Sequence, residues 1–178
     1  HIFAGFLTDL LQGTAAEVYE GPRTATSVQT DITVTPLPRY DLINLQYYGG
    51  MTVQFSRGCP FDCEFCDITK LFGRVPRTKT NAQFLAEFDL LYQLGWRDSI
   101  FVVDDNFIGN KRDAMRLLPA IAAWQKAHDY PFELSTETSV NLVDIPGMLD
   151  AMAEAGFTMT FLGIESPNDA ALTTIFKK

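Results

Sequence analysis

Residues 51–68 read MTVQFSRGCPFDCEFCDI, a short strand running directly into a loop that carries three cysteines. Met51, Val53 and Phe55 alternate with Thr52, Gln54 and Ser56, the period of two expected of a strand with one buried face. Cys59, Cys63 and Cys66 follow in the spacing C-x₃-C-x₂-C and are the only cysteines in the chain. A secreted disulfide scaffold spreads an even number of cysteines to staple distant segments, and three thiols crowded on one loop do not do that. They point to a metal site in a reducing compartment.

Downstream of this loop the pattern alternates between helix and strand. Residues 81–94 predict a helix, with Phe84, Leu85, Phe88, Leu91 and Leu94 on one face and Gly95 positioned to end it. Residues 99–105 (SIFVVDD) predict a strand, and residues 111–128 a helix that Pro119 should kink or split. Residues 132–136 (FELST) predict the third strand. Residues 145–155 predict a helix with Asp144 as N-cap, Pro146 in its first turn and Gly156 past its end. Residues 157–164 (FTMTFLGI) predict the fourth strand, and a further helix starts at Asn168. Strand–helix units of roughly thirty residues imply a parallel sheet with right-handed crossovers. The fold class expected is α/β, a partial (β/α) TIM-like barrel of about four β/α units, its strands apolar enough to be buried on both faces. A doubly wound sheet is the alternative, but no G-x-G-x-x-G follows the first strand.

Ligands of such sheets bind beyond the carboxyl ends of the strands. Those ends hold Gly58 and Cys59; Asp104, Asp105 and Asn106; Thr136 and Glu137; and Glu165 with Ser166. Aspartate and asparagine are also common in turns, because their side chains bond nearby backbone, and a glutamate there can cap the next helix.

Residues 1–49 read as the tail of an upstream domain and a linker, and residues 50–178 as the barrel. Residues 1–20 predict a short apolar strand and then a short amphipathic helix ended near Gly13. Residues 21–39 are rich in Pro, Thr and Ser without helical period. The chain opens on His1 and is expected to be an excerpt, cut before the last strands of its barrel. Lacking a strand-edge partner, it is expected to be poorly stable and prone to aggregate. With 14 Lys and Arg against 22 Asp and Glu, the net charge is −8, which speaks against a nucleic-acid partner. No signal segment and no transmembrane run is visible, so a cytoplasmic protein is expected.

Three thiolates can wrap one iron–sulfur cluster and leave one of four irons without a protein ligand, open to a substrate. At these residues the chain resembles the radical S-adenosylmethionine (SAM) superfamily, whose hallmark is this spacing on the loop after the first barrel strand. The resemblance implies a 4Fe–4S cluster on Cys59, Cys63 and Cys66, with the open iron chelated by the methionine part of S-adenosylmethionine. It further implies one-electron cleavage of the cofactor to methionine and a 5′-deoxyadenosyl radical, with an electron donor such as flavodoxin or ferredoxin. Phe65 matches the aromatic that lies near the adenine. Asp104 and Asp105 stand where the family has a Gly-Gly-Glu-like motif, although the glycines are absent. Glu165 matches a position that contacts ribose, and Glu137 is a candidate of the same kind.

The stretches VQFSRGCPFDCEFCDI, FGRVPR, LGW, FVVDDNFIGNKR and GIESPN are similar to cobalamin-dependent radical SAM proteins, a group that includes hopanoid methylases. This narrower likeness implies methylation of an unactivated carbon in a small-molecule or lipid-like substrate. Cobalamin would be held by a domain outside this chain, which has no D-x-H-x-x-G motif. A methylthiotransferase with the same cysteine spacing is an alternative. So is a non-catalytic iron–sulfur or zinc protein, although zinc wants a fourth ligand and the chain offers only His1 and His128 as nitrogens.

Overall fold

The computed structural model describes residues 2–19 and 31–175. Residues 20–30, which include the first half of the expected linker (21–39), lie outside the described residues. The chain forms two compact units, divided between Thr30 and Asp31.

In the first unit, helix α1 (Ile2–Gln12) runs without a preceding strand, contrary to the expectation for residues 1–20. Its sequence, with Leu7, Leu10 and Leu11, lacks the β-branched run that would favour a strand. Gly13 stops it in the left-handed conformation, and the Tyr19 hydroxyl donates to the Asp9 carboxylate at 2.8 Å.

The second unit opens with short 3-10 turns at Ile32–Val34, Tyr40–Leu42 and Leu45–Tyr47. These residues belong with the sheet that follows within the same unit: Ile32 is buried, and the Tyr40 hydroxyl donates to the Thr52 carbonyl at 2.7 Å. Then come β1 (Met51–Val53), β2 (Ser56–Arg57), α2 (Ile68–Leu71), β3 (Arg77–Thr78), α3 (Asn81–Gln93), β4 (Ile100–Val102) and α4 (Lys111–Ala127). They are followed by β5 (Leu134–Thr138), α5 (Met148–Glu154), β6 (Phe157–Leu162) and α6 (Asp169–Thr174). Strands β1, β4, β5 and β6 form one parallel sheet in that order, and β2 and β3 pair antiparallel beside it. This is the wall of a partial (β/α) barrel.

The register explains where the core sits. Met51, Ile100, Leu134 and Phe157 stand opposite one another across the four strands, and all are buried. Helices α3 and α4 supply Phe84, Phe88, Leu91, Leu117, Leu118 and Ile121 to the same core. Each such side chain contributes about 1.5–3 kcal/mol on burial. Trp124 stacks on Phe132 and meets Phe88 edge-on, while its indole N–H donates to Asp89 at 2.6 Å. The opposite face of the sheet carries Thr52, Phe101, Ser135, Glu137, Met159 and Phe161. It is open, with Met159 63% and Phe161 67% exposed. Beyond Phe157, strand β6 is therefore largely unburied, which differs from the two-sided burial expected of it.

Thr80 and Gln83 close a reciprocal capping box at the start of α3, and Gly95 ends that helix at φ +89°. Leu94, expected on its buried face, lies past the last turn and is partly exposed; Glu87 is buried there instead, paired with Lys79. Pro119 does not split α4. Proline withdraws one backbone donor, but Pro119 lies on the exposed side of the helix. Strand β5 starts later and runs further than expected, so Thr136 and Glu137 lie within it. Asp144 is not an N-cap: it closes the 3-10 turn Val140–Asp144, and Gly147 at φ +72° starts α5. At the turn between α5 and β6, Gly156 adopts φ +91°. A Cβ there would lie 2.6 Å from Nε2 of the buried Gln125, whose amide donates to the Phe132 carbonyl at 2.8 Å.

Candidate functional site: a cysteine-lined pocket at the strand ends

The cysteine loop is tied down at its base. Gly58 adopts φ +100°, and its N–H donates to the Asp105 carboxylate at 2.7 Å. A Cβ on Gly58 would lie 2.9 Å from the Gly73 carbonyl, so the close approach of the two loop ends requires glycine. The Cys59 N–H donates to that same carbonyl at 3.3 Å, and Cys66 N–H to the Cys63 carbonyl at 3.0 Å, turning the loop back on itself. Arg74 braces the outside through Asp62 at 2.9 Å and the Pro60 carbonyl at 3.2 Å. At the far end, Glu64 N–H donates to the Ile175 carbonyl at 3.1 Å, just past α6.

This loop forms one side of an open cavity of about 180 Å³. Cys59, Cys63 and Cys66 line it together with Phe65, Asp105, Glu137 and Glu165, so seven of the eight residues singled out in the sequence meet there. The eighth, Asp104, does not reach it. Its carboxylate is fully buried and accepts the Phe55 N–H and the Ser56 hydroxyl, each at 2.7 Å. Burial pushes this carboxyl up to about 6, against hydrogen bonds from Ser56 and Phe55 that favour its ionised form.

Register accounts for the opposite wall. Glu137 pairs with Phe161 across β5 and β6, so both project from the open face into the cavity. Glu165 follows in a left-handed turn at φ +64°, uncommon for a side-chain-bearing residue and characteristic of functional loops. It does not cap the next helix, because Asn168 does that by accepting the Ala171 N–H at 3.0 Å.

The sequence placed Asn106 at a ligand-capable strand end, with an ordinary turn role as the alternative, and singled out none of Phe61, Thr138, Ser139, Phe161 and Gly163; all six line the cavity. The alternation of β6 was the available signal for Phe161. Asn106 is buried, with Nδ2 at 3.1 Å from Ser139 Oγ and 4.0 Å from Cys59 Sγ. Burial raises the Cys59 thiol, hydrogen bonds from Phe61 and Asn106 act the other way, and Cys66 and Cys63 raise it slightly further.

The donor set fits an iron–sulfur cluster. The three thiols line one cavity. Three cysteine thiolates are ligands of the kind an iron–sulfur cluster takes, whereas a closed tetrahedral zinc site needs a fourth ligand. The cavity wall also holds the buried Thr138 hydroxyl, which has no hydrogen-bond partner among the described residues.

An uncharacterized methyltransferase of Synechocystis sp. is 58% identical over 142 residues, covering 80% of this chain and 26% of the relative. The hopanoid C-2 methylase of Rhodopseudomonas palustris is 42% identical over 152 residues, covering 85% and 29%. The chain thus spans about a quarter of the length of these relatives. Among solved structures, the radical S-adenosylmethionine methyltransferase TsrM of Kitasatospora setae, with tryptophan and a SAM analogue bound, shares the fold. Its TM-score is 0.64 at 23% identity, over 72% of this chain and 25% of that one. Residues 53–178, which include the cysteine loop and every strand end that lines the cavity, match the model of one family, and the chain belongs to the radical SAM superfamily.

Proposed function

We propose that this chain is the cluster- and cofactor-binding part of a radical SAM methylase acting on a small-molecule or lipid-like substrate. The observation that carries the proposal is the meeting of three thiols, an aromatic ring and three carboxylates in one cavity at the strand ends. Cys59, Cys63 and Cys66 would hold a 4Fe–4S cluster. Bound there, such a cluster would supply the one-electron reduction of S-adenosylmethionine that radical chemistry on the substrate requires.

The chain's own residues bind and orient. Phe65 offers a face for the adenine, and Glu165 and Glu137 offer acceptors for ribose hydroxyls. Asp105 keeps the base of the cysteine loop in place through Gly58, and its negative charge complements the cationic cofactor. The methylase reading is supported by the names of the relatives, a methyltransferase and a hopanoid methylase. Cobalamin as methyl carrier would be held by residues outside this chain; a second TsrM structure contains cobalamin together with a [4Fe-4S] cluster. The electron donor would be a small low-potential protein of the flavodoxin or ferredoxin class.

Anaerobic iron–sulfur reconstitution followed by EPR of the reduced protein, with and without S-adenosylmethionine, tests the proposal. A 4Fe–4S signal that changes on adding the cofactor, and is lost in Cys59→Ala, Cys63→Ala and Cys66→Ala, is the expected result. A site that takes zinc, or a cluster indifferent to the cofactor, would overturn it.

A further inference from the structure

We infer that Asn106 is a positioning residue that donates an amide proton to the Cys59 sulfur and thereby raises the reduction potential of the cluster bound there. The inference rests on the functional reading above.

The amide orientation is fixed by its neighbours. Asn106 Oδ1 accepts the Ser139 N–H at 3.4 Å, while Nδ2 lies 3.1 Å from Ser139 Oγ. The Ser139 hydroxyl spends its own proton on Asn141 Oδ1, at 2.6 Å, and so meets Asn106 as an acceptor. Turning the amide over would set Nδ2 against the Ser139 N–H, donor facing donor. In the orientation that remains, one Nδ2 proton serves Ser139 Oγ and the other faces Cys59 Sγ, 4.0 Å away. The backbone holds the residue equally well: Phe107 N–H donates to the Glu137 carbonyl at 3.0 Å, and Gly109 N–H to the Asn106 carbonyl at 2.9 Å. At 4% exposure the amide cannot swing out to water.

Reduction adds one electron, and therefore negative charge, to a cluster and its thiolates. An N–H donor to a ligand sulfur stabilises the reduced state more than the oxidised one, so it raises the potential. Of the three cysteines, Cys59 sits on the strand-side wall, where β4 and β5 can deliver such a donor. Cys63 and Cys66 lie further out on the loop.

EPR-monitored potentiometric titration of the reconstituted protein, with small-molecule mediators and dithionite as reductant, tests this. Asn106→Ala should lower the midpoint by about 59 mV, a tenfold change in a one-electron equilibrium. Ser139→Ala, which removes only the hydroxyl and leaves the N–H that orients Oδ1, should shift it less. An Asn106→Ala protein with full iron content and an unchanged midpoint would overturn the inference. Should that variant fail to hold a cluster, electron–nuclear double resonance of the reduced wild type, labelled with ¹⁵N-asparagine, decides directly. A resolved ¹⁵N coupling supports the hydrogen bond, and its absence refutes it. A wild-type protein that takes up no cluster sinks the functional reading instead.

Discussion

Asp104 and Asp105, adjacent in the chain, hold the cysteine-bearing segment at two different points. Asp104 turns into the core and takes the Phe55 N–H and the Ser56 hydroxyl; Asp105 turns to the cavity and takes the Gly58 N–H. Successive residues leaving a strand point to opposite sides, and here one side is the core and the other the site. The pair divides support of the loop between a buried clamp and a rim clamp, and the two are separable by mutation.

For Asp104 the separation is in pH. Its carboxyl lies at about 6 in the folded protein, against about 3.9 in an unfolded chain. The folded state keeps a proton that the unfolded state releases, so this group's contribution is most favourable below about pH 4. It declines as pH rises to about 6 and is flat above, by about 3 kcal/mol at most. Asp104→Asn keeps an acceptor for Phe55 and removes the slope. Urea unfolding at a series of pH values checks this: the variant should gain on the wild type between about pH 4 and 6 and then hold its advantage. Parallel profiles would show that the carboxyl does not titrate in that window.

At the rim the readout is iron. Asp105→Ala removes a charge-assisted bond worth about 1.5–3 kcal/mol locally, freeing the base of the cysteine loop while the core stays intact. Reconstituted variant protein should carry less iron per chain, and its reduced cluster should respond to S-adenosylmethionine only at higher cofactor concentration. Thermal melting of the unreconstituted chain should change little.

Gly58→Ala should do more damage than its size suggests. The new methyl meets the Gly73 carbonyl, and the backbone is held where alanine is strained, at a cost of about 1–3 kcal/mol. Cluster uptake should fall further than in Asp105→Ala, as measured by iron and sulfide content. Gly95→Ala, also at positive φ but with open space around it, should lower stability without touching cluster uptake.

The Lys79–Glu87 pair is buried on both sides, at 7% and 4% side-chain exposure. Lys79→Ala strands the glutamate in the core and should destabilise the chain by about 3–5 kcal/mol, whereas Lys79→Met with Glu87→Leu should come close to wild type. Chemical denaturation of the two variants side by side checks the asymmetry.

The strand–helix rhythm was readable because Gly95 and Gly156 punctuate it and because Phe84, Phe88 and Leu91 recur at helical spacing. The cysteine loop was readable from spacing alone. Other features depended on partners distant in sequence. Glu87 interrupts an apolar face, and only Lys79, brought in by β3, explains it. Asp104 and Asp105 are chemically alike, and their different fates follow from strand pleating at a terminus that propensity does not locate to the residue. Asn106 looks like an ordinary turn former until Ser139 and Cys59 are set beside it. Glu137 belongs to a strand longer than its apolar run, because the open face of the sheet tolerates polar side chains.

The turn at Gly156 has a genetic consequence. Two separate obstacles exclude a side chain there: the Gln125 amide, which another residue at 125 could remove, and the left-handed backbone, which nothing at 125 can alter. A selection for second-site suppressors of Gly156→Ala should therefore recover partial revertants at Gln125 at best. Full restoration should come only from changing codon 156 itself back to glycine.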